Sequence, residues 1–204
     1  MTESSASQSC DNWDNNGCEG TVGCPPRCPR FFDREGAAIH IRSLADDDIP
    51  SLVTMYEDVE WGHRTMGIPP QTRGAIRDWV ESLFEVGWNL VALIEDKIVG
   101  HIGVAPAESD RPQFVVFVHQ DYQGRGIGSE LVKQLVAHAA DDEYAALTLS
   151  ASPHNERAIH LYREMGFEMT GDAYEETFEG THVEMELAFP HPVADHVRLP
   201  PAER

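Results

Sequence analysis

Hydrophobic and polar residues follow two different periods along the central part of the chain. Some stretches alternate or are apolar throughout, which is typical of strands, and others repeat apolar residues every three to four positions, which is typical of helices. In chain order they predict β-α-α-β-β-β-α-β-α-β-β. The predicted strands cover residues 38–42, 90–94, 98–104, 114–118, 146–151, 167–169 and 183–189, and the predicted helices cover residues 49–56, 72–85, 127–139 and 155–165.

One strand–helix–strand unit determines the kind of sheet. Residues 114–118 are apolar throughout, as expected of a strand buried on both faces, and a helix connects them to the strand at 146–151. Such a connection makes its two strands parallel, whereas the short break at 95–97 predicts a hairpin and therefore antiparallel neighbours. The sequence predicts a mixed α/β (α+β) fold, with a central twisted sheet of six to seven strands flanked by about four helices.

Three regions of the chain differ in composition. Residues 1–36 are rich in Ser, Asn, Asp, Gly and Pro, which predicts a loop-like or metal-pinned extension. The periodic pattern fills residues 38–189, which we expect to be the folded domain. From 190 to 204, Pro, His and charged residues predict a loosely ordered tail.

Composition and charge narrow the class of protein. Apolar residues make up 41% of the 204 residues, enough for a core, and no apolar run reaches the about 18 residues of a membrane helix. The chain does not start with a basic segment followed by an apolar one, so we expect no secretory signal and a cytoplasmic location. The formal net charge of −20 repels nucleic acid and anionic membranes, and we expect neither as a partner.

The excess of acidic residues allows two interpretations. It can be an ordinary solvated surface, or an adaptation to high salt, where self-repulsion is screened and surface carboxylates keep water and cations bound. The composition, with 35 acidic and 15 basic residues, resembles that of proteins from salt-loving microbes. We therefore favour a halophilic protein that loosens in low salt.

Three glycines lie where the buried strand at 114–118 gives way to a helix. The run reads Gln123-Gly124-Arg125-Gly126-Ile127-Gly128. Glycine lets the backbone approach a ligand and a helix start presents unpaired N–H groups, so the run predicts an anion site suited to a pyrophosphate, to which Arg125 adds charge. The run lacks the Gly-Lys-Ser or Gly-Lys-Thr of a nucleotide P-loop and the spacing of the dinucleotide fingerprint, and a purely structural turn is the alternative.

Two motifs together resemble the GNAT family, the Gcn5-related N-acetyltransferases. That family carries [Gln/Arg]-x-x-Gly-x-[Gly/Ala] after a buried strand, as at 123–128 here. It then carries Asn-x-x-Ala-x-x-Leu-Tyr-x-x-x-Gly-Phe, which this chain matches from Asn155 to Phe167. The resemblance covers roughly residues 38–189. It implies a GNAT-like sheet, acetyl-CoA as co-substrate, and an acyltransferase that passes the acetyl group to a primary amine of a small molecule or protein by direct attack.

The resemblance also implies which residues contact acetyl-CoA. The strand before the turn would pair its backbone with the pantetheine arm, the turn would hold the pyrophosphate through backbone N–H groups, and an asparagine would lie near the thiol. The residues so implied are Val116, Phe117, Val118, Gln123, Gly124, Arg125, Gly126, Ile127, Gly128, Ser129 and Asn155. Asn155 can also cap its helix, and the two roles are compatible.

The catalytic groups are implied less completely. Tyr162 would protonate the departing CoA thiolate, the alternative being an ordinary half-buried aromatic residue. Protein-acetylating relatives often carry a Glu at the positions comparable to Pro112 and Ser150, so the resemblance supplies no base here. The candidates for the base are His119, His101, Glu60 and His63, and an enzyme without a dedicated base is the alternative.

The acceptor is expected between the loop that joins the first two helices and the last strands of the sheet. Acidic and aromatic residues nearby suit a cationic amine. The residues expected to line this site are Trp61, His63, Met66 and Trp79.

All four cysteines lie in the first region. Cys10, Cys18, Cys24 and Cys28 fall within nineteen residues with irregular spacing. In a reducing cytoplasm such a cluster favours a structural tetrahedral zinc ion, and disulfides or free redox-active thiols are the alternatives.

Two further functions compete with the enzyme. The same cradle can serve a non-catalytic acyl-CoA-binding module in regulation, or the fold can be retained in a zinc-nucleated interaction protein. A monomer or a homodimer is expected in each case.

Overall fold

The computed structural model describes residues 17–21, 23–60, 69–177 and 180–203 of the chain. Within them, every predicted strand and helix is present. The strands are β1 Arg30–Phe32, β2 Ala38–Ser43, β3 Trp88–Ile94, β4 Lys97–Ala105, β5 Gln113–Val118, β6 Ala146–Ala151, β7 Glu168–Thr177 and β8 Gly180–Ala188. The helices are α1 Ile49–Glu57, α2 Arg73–Val86, α3 Ile127–Asp141, α4 Glu156–Glu164 and α5 Pro192–Arg198.

The strands form one mixed sheet in the order β1-β2-β3-β4-β5-β6-β8-β7. The pair β5–β6, joined through α3, is parallel, and the other neighbours are antiparallel. The prediction of a mixed α/β fold is therefore confirmed. The described residues contain eight strands and five helices, slightly more than the predicted six to seven and about four.

Each face of the sheet has its own apolar core, because side chains alternate between the two faces of a strand. One core lies under α3 and α4 and includes Phe114, Leu131 and Leu149. The other lies under α1 and α2 and includes Leu52, Ile76 and further residues of β3 and β4. None of the helices in the described ranges has the length and hydropathy needed to cross a membrane.

The structure differs from the prediction at both ends of the chain. The segment predicted as loop-like contains β1, and Arg27 and Asp33 beside it are buried. The prediction of a loosely ordered tail is wrong for the residues of α5. This helix begins after the capping residue His191 and packs Ala194 and Val197 against α3. Both elements are too short to show a periodic pattern, so only their contacts in the fold reveal them.

Candidate functional site

A gap opens between the two parallel strands in the middle of the sheet. Strands β4 and β5 are paired at six positions, from Gly100–Val118 to Ala105–Gln113. Strands β5 and β6 are paired at one position, Gln113–Thr148, and then separate. The C-terminal half of β5 therefore has a partner strand on only one side.

The backbone phase of β5 decides which residues face this gap. His119 N–H donates to Val99 C=O on β4 at 3.0 Å. Because backbone groups point alternately to the two sides of a strand, those of Phe117 also face β4, while those of Val116 and Val118 face the gap. The C=O of Val118 accepts a hydrogen bond from Nε2 of Gln123 at 3.0 Å. The Phe117 ring lies on the α1–α2 face, 5.2 Å from the ring centroid of Tyr56.

The glycine turn at the end of the gap presents a row of free donors. Gly124 and Gly126 have φ values of +83° and +95°, a left-handed conformation that favours glycine. The first helical bond of α3 runs from Glu130 N–H to Gly126 C=O at 3.1 Å. In the described part of the chain, the six backbone N–H groups from Gly124 to Ser129 donate to no protein group. Such a row at a helix start can hold an anionic group with several oxygens.

The charge at this turn comes from arginines that the sequence did not single out. Nη1 of Arg34 lies 3.3 Å from the C=O of Gly124, and the N–H of Arg34 donates to the C=O of Arg125 at 3.0 Å. A Cβ added at Gly124 would lie 3.7 Å from Nη2 of Arg157. Two guanidinium groups, one from the β1–β2 turn and one from α4, therefore lie beside the glycines.

The guanidinium of Arg125 itself is neutralised, which corrects the expectation that it adds charge for an anion. Its Nη2 lies 2.5 Å from Oδ2 of Asp33 and its Nη1 lies 3.1 Å from Oε2 of Glu35. Its guanidinium carbon lies 5.2 Å from the centroid of the Tyr122 ring. Burial raises the pKa of Asp33, but hydrogen bonds from the Ala37 N–H, from Arg125 and from the Glu35 N–H outweigh it and hold that pKa below its ordinary value. Asp33 is thus an anion that anchors the turn through Arg125.

A second buried ion pair neutralises Glu130, the one acidic residue in the first turn of α3. Nε and Nη2 of Arg27 lie 2.5 and 3.0 Å from the two carboxylate oxygens of Glu130, and Nη1 donates to the C=O of Val197 at 2.7 Å. Nζ of Lys133 lies 3.9 Å from Oε2 of Glu130. Because Arg27 neutralises Glu130, this carboxylate does not repel an anion at the helix start.

A cavity of about 490 Å³ adjoins the turn on the side of β1. Its lining includes Phe31, Phe32, Arg34, Ser129, Lys133 and Leu161. The lining is partly aromatic and carries both basic and acidic side chains, Glu164 among the latter. A mixed cavity of this kind beside an anion cradle suits the nucleotide part of a ligand.

Tyr162 lies on α4, and Asn155 comes directly before that helix. Oδ1 of Asn155 accepts the N–H of Ala158 at 3.2 Å, so this residue caps the helix. Tyr162 is 7% exposed, and its ring packs edge-on against Phe114 of β5 with centroids 5.8 Å apart. Burial raises the pKa of Tyr162 to about 12, so the phenol keeps its proton at neutral pH. Within the described residues its O–H makes no hydrogen bond.

Neither described histidine proposed as a base has a free ring nitrogen. His119 is 2% exposed; its Nδ1 accepts the Asp121 N–H at 3.3 Å, and its Nε2 lies 3.1 Å from Oδ2 of Asp58. His101 is buried between Tyr56 and Asn89, with Nδ1 2.7 Å from the Tyr56 O–H and Nε2 3.0 Å from Oδ1 of Asn89. Both rings serve as structural links, which argues against a base at either position.

The buried His101 predicts a pH dependence of stability. Burial lowers its pKa to about 3, whereas an unfolded histidine titrates near 6.5. Between these values the unfolded state binds the extra proton, so stability falls as the pH falls from about 6.5 towards 3, by about 1 kcal/mol per pH unit. His101→Gln, which keeps a donor and an acceptor, is expected to remove this part of the slope in urea unfolding at pH 4 to 7. The exposed His160→Gln variant should keep the wild-type slope, and an equal slope in His101→Gln would contradict the assignment.

Several residues predicted from the sequence do not form a described site. Trp61, His63, Met66 and Cys10 lie outside the described residues. Trp79 packs edge-on against Tyr56 with ring centroids 5.1 Å apart, and Glu60 is exposed. Cys18 and Cys24 are free thiols, and Sγ of Cys28 lies 3.7 Å from the C=O of Arg30. Within the described ranges, no group of three or more His, Cys, Asp or Glu side chains can hold a metal ion. The described residues therefore do not fit the zinc site.

Comparison with known sequences links this geometry to one family. The sequence model of the acetyltransferase (GNAT) family matches residues 52–167, more than half of the chain. Human N-acetyltransferase 8B is 29% identical over 119 residues, which are 55% of this chain and 50% of that protein. The chain spans half or less of the length of this and similar curated human and rat relatives.

Solved structures show the same fold. The GNAT domain of the PAT protein from S. lividans is 20% identical with a TM-score of 0.65, and the match covers 78% of this chain and 96% of that one. A protein from Salmonella typhimurium, solved with its cofactor acetyl-CoA, is 18% identical with a TM-score of 0.58, and the match covers 76% of this chain and 96% of that one.

Proposed function

The chain belongs to the GNAT acetyltransferase family, and we propose that it transfers the acetyl group of acetyl-CoA to a primary amine by direct attack. The observation that carries this proposal is the open gap beside β5, which ends at a row of six free N–H groups. A strand edge suits the amides of a pantetheine arm, and the row of donors suits the pyrophosphate to which that arm is attached.

The proposed binding mode uses four side chains and the backbone. Val116 and Val118 pair with the pantetheine amides through the backbone groups that face the gap, and the side chain of Asn155 approaches the thiol end. The N–H groups from Gly124 to Ser129 hold the pyrophosphate, aided by Arg34 and Arg157. The nucleotide enters the neighbouring cavity, where Lys133 faces it.

The proposed chemistry needs an uncharged amine and a proton for the leaving thiolate. The amine nitrogen attacks the thioester carbon, and a backbone N–H of β5 stabilises the oxyanion that forms. The C–S bond then breaks, and Tyr162, which is protonated at neutral pH, gives its proton to sulfur. The acceptor is an amine of a small molecule or of a protein.

The acidic composition of the chain bears on the acceptor and on the assay conditions. An acidic surface with a net charge of −20 favours a cationic amine as acceptor and disfavours nucleic acid. It also favours a salt-adapted protein, so the assays below are run in molar KCl, and we keep the expectation of a cytoplasmic location.

The binding mode predicts that Arg157 contributes to acetyl-CoA affinity. Arg157→Gln is expected to weaken acetyl-CoA binding about tenfold in calorimetry, because one charge-assisted hydrogen bond to phosphate is lost. Arg163→Gln, the same change six residues along α4, should leave the affinity unchanged. Equal affinity in both variants would overturn the position of the pyrophosphate.

The activity itself is tested by release of CoA thiol with a panel of primary amines. Binding of acetyl-CoA followed by turnover of at least one amine supports the enzyme. Tight binding with no turnover across the panel supports the non-catalytic acyl-CoA-binding module instead. Absence of binding would refute both.

A further inference from the structure

The acceptor amine arrives as an ammonium ion at neutral pH and must lose a proton before it can attack. Pro112 and Ser150 carry no carboxylate, and His101 and His119 have no free ring nitrogen. The other elements that border the gap are therefore the place to look for a proton acceptor.

A cluster of polar side chains lies beside the gap, on the face of the sheet opposite Tyr162. Phe114, Leu149 and Met185 belong to the core under α3 and α4, together with Tyr162. Their strand neighbours alternate to the other face. That face therefore carries Gln113 of β5, Ser150 of β6, and His182 and Glu184 of β8. The register places Ser150 directly opposite Glu184 on the neighbouring strand, two residues beyond the single β5–β6 pair at Thr148.

These side chains form a continuous hydrogen-bond chain that crosses the start of the gap. Nε2 of Gln113 donates to Oγ of Ser150 at 2.8 Å. The Ser150 hydroxyl in turn donates to Oε1 of Glu184, and Nε2 of His182 lies 3.2 Å from the same oxygen. Among the described residues, every polar contact of the Glu184 side chain is therefore made through Oε1. In the described part of the chain, Oε2 has no partner.

Glu184 differs from the other carboxylate on its strand and face. Glu186 forms an ion pair with Arg111, whereas no Lys or Arg of the described residues pairs with Glu184. The Glu184 side chain is 29% exposed, enough to meet a ligand. Ser150 and His182 hold the carboxylate in place while its second oxygen stays available.

We propose that Glu184 is the general base, accepting a proton from the acceptor ammonium through Oε2, with Ser150 and His182 as positioning residues. This inference rests on the proposed acetyltransferase activity. It assigns the amine to the face of β6 and β8 opposite α4, so that the amine and Tyr162 approach the thioester from opposite sides of the sheet. It also favours a cationic acceptor, because a carboxylate that no Lys or Arg of the described residues neutralises attracts an ammonium ion.

The step balances in atoms and charge. The ammonium gives one proton to Glu184, and the freed nitrogen lone pair forms the C–N bond. The C–S bond breaks and its electron pair leaves with sulfur, which takes the proton of Tyr162. The substituted nitrogen then loses a proton to solvent, Tyr162 regains one from solvent, and Glu184 releases its proton to solvent. Ammonium and acetyl-CoA thus give the amide, the CoA thiol and one proton.

The test compares Glu184→Gln with Glu186→Gln on an amine that the wild type acetylates. Glu184→Gln is expected to lower kcat/KM for the amine at pH 7 by about 100-fold, the usual contribution of a general base. Its deficit should shrink as the pH approaches the pKa of the amine, since free amine then no longer needs a base. Glu186→Gln should keep the wild-type rate, and both variants should bind acetyl-CoA as the wild type does.

A second variant tests whether a carboxylate at the neighbouring position 150 can replace that of Glu184. Ser150→Glu in the Glu184→Gln background returns a carboxylate to the neighbouring position and is expected to recover part of the lost rate at pH 7. Wild-type kcat/KM in Glu184→Gln, or a deficit that is the same at every pH, would overturn the assignment while leaving the acetyltransferase intact. A wild type that binds acetyl-CoA but acetylates no amine would instead refute the proposed function.

Discussion

Tyr162→Phe is expected to lower kcat by about 100-fold or more while leaving the affinity for acetyl-CoA unchanged. The substitution removes only the phenol oxygen, and the ring keeps its contacts with Phe114 and Phe167, whose centroids lie 5.8 and 5.9 Å away. Burial holds the pKa of Tyr162 at about 12, so its proton is present throughout the neutral range. Single-turnover release of CoA thiol measures the effect on the chemical step.

Tyr144→Phe is the matched control for this variant. The Tyr144 hydroxyl accepts from Nε1 of Trp88 and donates to the C=O of Ala107, each at 3.1 Å, and both partners lie away from the gap. Its loss should change stability slightly and turnover not at all. Unchanged turnover in Tyr162→Phe would show that another group protonates the thiolate.

Arg27→Met is expected to cost about 3–5 kcal/mol of unfolding free energy, the usual cost of leaving a buried charge without its partner. Arg27 and Glu130 form a two-bond ion pair whose side chains are only 6% and 10% exposed. The substitution leaves the Glu130 carboxylate with Lys133 alone, 3.9 Å away. Urea unfolding at fixed salt measures the loss.

Two companion variants separate burial from charge in this experiment. Arg198→Met breaks an ion pair to Asp141 whose side chains are 39% and 50% exposed, and it should cost about 1 kcal/mol or less. The double variant Arg27→Met with Glu130→Gln should recover much of the loss, because no unpaired charge then remains buried. A cost in Arg27→Met no larger than in Arg198→Met would contradict the importance of the buried pair.

Most of the fold could be predicted because its central elements bury one face each and so repeat with a fixed period. The run at 114–118 and the helix after it set the parallel pair, and the structure confirms that pair. Strand β1 has three residues and α5 buries only Ala194 and Val197, so neither has room for a pattern. Tertiary contacts stabilise both elements instead: β1 pairs with β2 at the edge of the sheet, and α5 packs on α3.

Part of the candidate site could also be predicted from the sequence, and part could not. The glycine turn could be found from the sequence because the positive φ of Gly124 and Gly126 restricts which residues can stand there. Its charge could not, since Asp33 lies 92 residues from Arg125 and Arg27 lies 103 residues from Glu130. Arg157 had one local signal, its place two residues after the helix cap Asn155. Glu184 had none, because its relation to Ser150 is set by the register of β6 and β8.

The segment at 27–34 anchors the glycine turn. Binding of a ligand to the turn and docking of this segment on the fold are therefore thermodynamically linked. Asp33 holds Arg125, Arg34 reaches Gly124, and Arg27 neutralises Glu130, all next to the donors proposed for the pyrophosphate. A ligand that prefers the anchored turn must stabilise the docked segment by the same free energy with which the segment strengthens the ligand. In the proposed binding mode, residues that precede the family-matched region are therefore thermodynamically part of the cofactor site. Changes among them are expected to act on the affinity for the ligand rather than through contact with the reacting atoms.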